Sequence, residues 1–360
     1  MANKSNGKNE RIIPFKNLKE RRIQKDNISN FDKSFFKEVY EQAAELTNVI
    51  VRTSTERMKN SAYNIPLQQT LDMQNVIAFS GRRGTGKTSA MLAFSDALAS
   101  GKYSRKDDEK SNGKYPNLDD KLFFPIQYVD SSVVGKNEDF FEILLFRMLQ
   151  LLKSVVEDKN RNSYFAYNAQ LNSLKENIAT IYNHYTGLKH GSSFDSSSSY
   201  TVMEKNIEKH DVRREMKKLV SSYTEFLTKL IQQDYDGTTY KNRGFLVICI
   251  DDIDMTRKNH VEILQCIYEY FMIPGVIVMV TLNFPVIYAN LKKEFYETMR
   301  ITDSDDAVEK LLKISNEQTY DFMLKIIPSD MRITMPSWKK LDYRKLSETR
   351  VSFEDLEEKT

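Results

Sequence analysis

The octet Gly81-Arg82-Arg83-Gly84-Thr85-Gly86-Lys87-Thr88 follows an apolar run over residues 75–80 and opens a stretch with helical apolar spacing. No other feature limits the fold of this chain as much. A loop of pattern G-x-x-x-x-G-K-[ST] works where a buried strand delivers the chain and a helix carries it away. Its glycines let the backbone turn so that several N–H groups point at one phosphate. The helix start adds its positive dipole end to the same oxygens. Lys87 brings a point charge toward the β- and γ-phosphates of a nucleotide, and the Thr88 hydroxyl is a ligand for Mg2+. The expected phosphate-binding set is therefore Gly81, Arg82, Arg83, Gly84, Thr85, Gly86, Lys87, Thr88 and Ser89. The two arginines occupy variable, solvent-facing positions of that loop.

The rest of the chain alternates in the way such a loop demands. Residues 122–130, 244–251 and 276–283 are apolar runs of strand length, and residues 332–336 read as a last strand. Between them, residues 139–153, 261–272, 286–299 and 306–327 space apolar side chains at three and four residues, the period of one helical face. Residues 31–58 show the same period through Phe35, Val39, Ala43, Leu46 and Ile50. The expected fold is α/β: a doubly wound parallel-sheet core preceded by a helical region.

Residues 154–240 interrupt the rhythm. Two helical stretches, 168–185 and 203–234, flank a serine-rich segment at 191–199 that cannot bury apolar area and is expected to be flexible. The expected division is a basic arm (1–30), a helical region (31–74), the first part of the core (75–153), a helical insertion (154–240), the second part of the core (241–336) and a tail (337–360).

The most apolar strand, 244–251, runs straight into acids: Ile250-Asp251-Asp252-Ile253-Asp254. Asp251 is expected to hold the water shell of Mg2+ opposite Thr88. Asp252 is placed to orient or deprotonate an attacking water. Asp254 is either structural or faces a neighbouring subunit.

Composition removes several function classes. The longest apolar run is too short for a transmembrane helix, and the polar N-terminus lacks the apolar core of a signal peptide. Cys249 and Cys266 cannot build a disulfide framework, and His184, His190, His210 and His260 lack metal-ligand spacing. A reducing cytoplasm is the expected compartment, with no membrane partner. With 53 basic and 50 acidic residues the net charge is +3, which argues against a dedicated nucleic-acid coat. Residues 1–26 are locally basic, as a solvated arm or as a contact to nucleic acid or an acidic partner.

The acids after an apolar strand resemble the Walker B element of the AAA+-related STAND and KAP P-loop ATPases. Residues 320–328, followed by 333–336, resemble the last strand region of that group before its helical lid. Residues 276–283 resemble its sensor 1 strand, with Asn283 as the polar residue that touches the γ-phosphate or the lytic water. The resemblance implies ATP as nucleotide and an oligomer, a ring or cluster, in which a neighbour's arginine completes the site. Arg300 is the expected arginine, with Arg257 and Arg332 as alternatives. The resemblance also implies a protein effector and a role in bacterial anti-phage defence; the ATPase subunit of the RADAR system, which partners an adenosine deaminase, is one such case.

Two departures stand against that pattern. The insertion has no counterpart, and little chain follows Pro336 to form a lid, so the chain reads as the N-terminal portion of a longer protein. A DNA-acting ATPase, similar to origin-recognition or transposition proteins, is the alternative, and a scaffold that binds ATP without turnover is a third.

Overall fold

The computed structural model describes residues 36–61, 73–99, 118, 121–135, 137–157, 161–190, 199–232, 244–256, 260–299 and 305–336. The expected basic arm, the part of the serine-rich segment before Ser199, Arg257, Arg300 and the tail lie outside them. Six strands form one parallel sheet: β1 (Val76–Ser80), β2 (Leu122–Pro125), β3 (Val129–Asp130), β4 (Gly244–Asp251), β5 (Val276–Leu282) and β6 (Arg332–Thr334). Their order is β2-β4-β5-β1-β6, with β3 also paired to β4. The eight helices described are α1 (Lys37–Ser61), α2 (Lys87–Ala99), α3 (Phe140–Glu157), α4 (Arg161–His190), α5 (Ser199–Gln232), α6 (His260–Cys266), α7 (Phe284–Met299) and α8 (Asp305–Ile326).

Strand side chains alternate between faces, so each strand feeds two cores. Ile77, Phe79, Val247, Cys249, Ile277 and Met279 pack with α1 and α2. Val76, Ala78, Leu246, Ile248, Ile250, Val276, Val278 and Val280 point the other way, toward apolar residues of α3 to α8. Every residue of β4 and β5 is buried, as their near-continuous apolar sequences require of strands covered on both faces. Each buried aliphatic side chain there contributes about 1.5–3 kcal/mol relative to exposure. At the amino end of β1 the buried Asn75 amide donates to the carbonyls of Phe271, Ile273 and Val276, tying β1 to β5 and the turn before it.

The helices that interrupt the alternation are not peripheral. Leu171, Leu174, Ile178 and Ile181 of α4, with Val212, Met216, Leu219 and Tyr223 of α5, belong to the same apolar cluster as the sheet. The Tyr223 hydroxyl donates to Met148 O at 2.7 Å, satisfying the one polar group that this burial withdraws from water.

Two expectations need correction. Residues 122–130 do not form one strand. From Pro125 to Val129 there are four residue steps, but the facing stretch of β4 from Val247 to Ile250 has three. The extra residue breaks the ladder, leaving Gln127 and Tyr128 exposed between β2 and β3. Residues 261–272 are likewise not one regular helix. After Cys266 the chain widens into a π-helical turn, Ile267–Phe271, closed by Met272 N–H donating to Ile267 O at 3.0 Å. Helical spacing of apolar residues looks alike for both windings, so the sequence cannot distinguish them.

Candidate functional site

The phosphate loop leaves the carboxyl end of β1 and enters α2. Parallel α/β sheets bind ligands outside the carboxyl ends of their strands, and the loop stands on that edge. Gly84 and Gly86 have φ of +81° and +84°, a region that a side chain disfavours. At Gly86 a Cβ would also come within 2.5 Å of the Phe36 ring, and at Gly81 within 2.9 Å of Met335 Cβ. The loop is thus held between the residue before α1 and the residue after β6. Met335 N–H donates to Ser80 O at 2.8 Å, and Gly81 N–H donates to Leu282 O at 3.2 Å.

Within the loop, Thr85 donates its hydroxyl to Arg82 O at 2.8 Å. The Lys87 ammonium folds back onto Gly81 O at 3.0 Å and Arg82 O at 3.4 Å. Arg82, Arg83 and Gly84 are exposed. Ala90 N–H donates to Gly86 O at 2.9 Å, so the amides of Lys87, Thr88 and Ser89 occupy the first helical turn, where helix geometry supplies no backbone acceptor. A row of such amides beside a lysine has the chemistry that suits an anion.

β5 lies between β1 and β4, yet the loop reaches the acids across it. The Thr88 hydroxyl meets the two Asp251 carboxylate oxygens at 2.8 and 3.0 Å. Asp251 is fully buried, and its Oδ1 also accepts from the Thr281 hydroxyl at 2.5 Å. Thr281 in turn accepts Asp252 N–H at 2.9 Å. From the other side Ser131, just past β3, donates its hydroxyl to the backbone oxygens of Asp251 and Asp252, each at 2.9 Å.

These bonds hold Asp252 at φ 51°, ψ 44°, the only non-glycine with positive φ among the described residues. Aspartate tolerates the left-handed region better than most residues, but such a conformation still costs about 1–3 kcal/mol and persists only where surroundings dictate it. The turn lifts the Asp252 carboxyl off the strand line. Burial raises its pKa, the neighbouring Asp251 raises it further, and Lys87 partly offsets both. Asp254 and Asp130 add to the upward push. Carboxyls tuned upward in this way are common where a proton is to be accepted.

Asp254 is buried and accepts Asn283 N–H at 2.8 Å, which fixes the turn after β5. Asn283 O accepts from Val286 and Ile287 N–H, so Asn283 stands at the start of α7, half-buried. Arg332 is committed within the chain: its guanidinium donates to Ile327 O at 2.9 and 2.6 Å and stacks on Phe284 at 3.8 Å. Arg257 and Arg300 are not among the described residues.

The structure therefore brings Lys87, Thr88, Asp251 and Asp252 to one edge and adds Thr281, Ser131, Phe36 and Met335, which sequence reading missed. Thr281 had one local signal: it is the single polar residue of an apolar strand. Ser131 had none, because its role depends on β3 pairing with β4.

The profile of the KAP family P-loop domain matches residues 12–347. This chain belongs to the KAP family. The match spans both halves of the parallel core and the helices α3, α4 and α5 between them. KAP domains are P-loop NTPase domains, which agrees with a sheet flanked by helices and a phosphate loop at its carboxyl edge. No curated protein matches the chain. Among the described residues no helix is long and apolar enough to cross a membrane.

Proposed function

We propose that this KAP domain binds ATP with Mg2+ at the carboxyl edge of the sheet and hydrolyses it to ADP and phosphate. The observation that carries the reading is the contact between Thr88 and Asp251 across β5 at 2.8 Å. A hydroxyl and a carboxylate are the hard oxygen ligands that Mg2+ takes alongside nucleotide phosphates, so the residues present fit that ion. Bound there, Mg2+ supplies charge neutralisation to the β- and γ-phosphates.

The chain's own groups divide the remaining work. The first-turn amides of α2 and the Lys87 ammonium hold the phosphates, Lys87 exchanging its loop carbonyls for phosphate oxygens. Asp252 orients a water toward the γ-phosphorus and takes its proton as the bond to the β-phosphate oxygen breaks. Its raised pKa and turned-out backbone support that role over a purely structural one. Asn283, at the end of the interposed strand, is the sensor of the γ-phosphate in this reading.

The finer part rests on the sequence resemblance: the domain assembles into a ring or cluster, a neighbour's Arg300 completes the site, and the assembly controls a protein effector in anti-phage defence. The test is ATP hydrolysis against protein concentration, with Lys87→Ala as the blank and EDTA as a second blank. Specific activity that rises with concentration supports a site completed between subunits. Flat activity removes the trans arginine, and activity equal to the blank removes hydrolysis. Unchanged phage protection by Lys87→Ala would remove the defence role, and absence of a co-purifying deaminase would remove the RADAR likeness. The DNA-acting alternative requires affinity for DNA that falls steeply with salt.

A further inference from the structure

At its carboxyl end β4 has a neighbour on each side, and each neighbour turns one hydroxyl onto Asp252. β5 pairs Val280 with Ile250, so the next residue, Thr281, stands opposite Asp251. β3 pairs Asp130 with Asp251, so the next residue, Ser131, stands opposite Asp252. Both hydroxyl residues are fully buried. The Thr281 hydroxyl accepts Asp252 N–H at 2.9 Å and donates to Asp251 Oδ1 at 2.5 Å. The Ser131 hydroxyl donates to the carbonyl oxygens of Asp252 and Asp251, each at 2.9 Å.

These bonds exceed what the turn alone requires. A buried carbonyl needs one partner, and Asp252 O already accepts Met255 N–H at 2.8 Å. Ser131 adds a second. The Asp252 N–H belongs to the peptide plane before its Cα, and the Asp252 O belongs to the plane after it. Peptide planes are rigid, so holding both fixes φ and ψ and with them the direction in which the side chain leaves the chain. Here that direction comes from a left-handed turn, φ 51° and ψ 44°, which an aspartate leaves readily when nothing holds it. A proton acceptor has to lie within hydrogen-bond reach of its water, and a misplacement of about 1 Å costs on the order of 10²-fold in rate.

We propose that Thr281 and Ser131 are positioning residues for hydrolysis: from the two strands beside β4 they lock the Asp252 backbone in the turn that aims its carboxyl at the attacking water. The inference rests on the reading of Asp252 as the group that receives the water's proton. The two hydroxyls differ in one respect, since Thr281 also touches the Asp251 carboxylate whereas Ser131 bonds only to main chain at this site.

The experiment is steady-state ATP hydrolysis by the full chain carrying Thr281→Val, Thr281→Ser or Ser131→Ala, with Tm and the affinity for a non-hydrolysable ATP analogue measured on each. Thr281→Val and Ser131→Ala are each expected to lower kcat by about 10–100-fold at saturating Mg2+. Affinity for the analogue should stay at the wild-type value, and Thr281→Ser, which keeps the hydroxyl, should restore most of the rate. A kcat unmoved by Ser131→Ala, or a fall in analogue affinity that accounts for the lost rate, overturns the proposal. So does a Thr281→Val deficit that vanishes as Mg2+ is raised, because that hydroxyl would then act on Asp251 alone. Should Thr281→Val lose its cooperative melting, Ser131→Ala decides, since it leaves Asp252 N–H and O each with a partner. A wild type no more active than Lys87→Ala overturns the hydrolysis reading and this inference together; an active wild type with unmoved variants overturns this inference alone.

Discussion

Asp139 and Asp252 are both withdrawn from water, yet their carboxyls are displaced in opposite directions. Burial pushes Asp139 up, but bonds from the Lys189 ammonium, the Tyr185 hydroxyl and the Glu142 amide outweigh it and leave the pKa below its ordinary value. Burial pushes Asp252 up as well, and there the neighbouring Asp251 adds to the push, which Lys87 only partly opposes. The difference lies in where the hydrogen bonds go. At Asp139 they go to the carboxylate, including the Phe141 amide at 2.8 Å, and the charge is satisfied where it stands. At Asp252 the described bonds go to the backbone, through Ser131, Thr281 and Met255, and the carboxyl is left to the field of its acidic neighbours. One acid is spent on joining α3 to α4; the other is held at a stability cost, which is the arrangement expected of a working group.

The largest effect should come from Lys87→Ala, which is expected to abolish saturable binding of a fluorescent ATP analogue and with it all turnover. The lysine is 7% exposed and already folded onto the loop, so its removal leaves the phosphates without their charge partner. Binding that survives the change would mean the loop is not the phosphate site, and the shift at Asp252 would then be as structural as that at Asp139.

Next is Asp252→Asn. Hydrolysis should fall by about 10²–10⁴-fold while nucleotide binding is retained, because only proton acceptance is lost. The stability sign is opposite. An acid whose native pKa is raised binds protons more tightly in the folded state, so its ionised form costs stability at pH above that pKa. Asparagine also tolerates the left-handed turn. Without nucleotide or Mg2+ the variant's Tm should therefore equal or exceed that of the wild type. A lowered Tm with intact hydrolysis would collapse the contrast with Asp139.

Asp139→Asn is the converse. Neither nucleotide binding nor hydrolysis should change, whereas stability in urea should fall by about 1–3 kcal/mol. The amide cannot serve as anion to Lys189, and the bonds from the Tyr185 hydroxyl and the Phe141 amide lose their charged acceptor, whereas the exposed Lys189 ammonium returns to water.

How much of this was legible beforehand differs between the two acids. The candidate site around Asp252 was legible because its parts are local: a glycine loop of the kind that can cradle a phosphate, and acids after the most apolar strand. The α/β alternation was visible for the same reason, since β4 and β5 are buried on both faces and read as unbroken apolar runs. Thr281 and Ser131 were not, because they reach Asp251 only through strand register, 30 and 120 residues away in sequence. Asp139 was hidden more deeply. Its partners Tyr185 and Lys189 lie 46 and 50 residues on, within a stretch expected to be an insertion. The interrupted edge strand and the π turn each hinge on one extra residue, a change that hydrophobic spacing does not register.

The smallest effect, and the one that separates the two acids most sharply, is in the acid limb of stability. Asp139 has a native pKa below that of the unfolded chain, about 3.9 for an aspartate. Its contribution is therefore fully present above that value and is lost as pH falls through the lower native pKa. The stability gap between wild type and Asp139→Asn should be constant from neutral pH down to about pH 5, then narrow as the wild-type carboxylate takes up its proton. Asp252 has the reverse displacement, so any gap between wild type and Asp252→Asn should favour the variant at neutral pH and close as pH falls through the raised native value. Urea unfolding of all three proteins across that range, without nucleotide or Mg2+, reads both limbs at once. A gap for Asp139→Asn that persists unchanged at the most acidic pH would show that the asparagine loses packing rather than charge. The cluster of Asp139, Tyr185 and Lys189 would then owe its stability to shape.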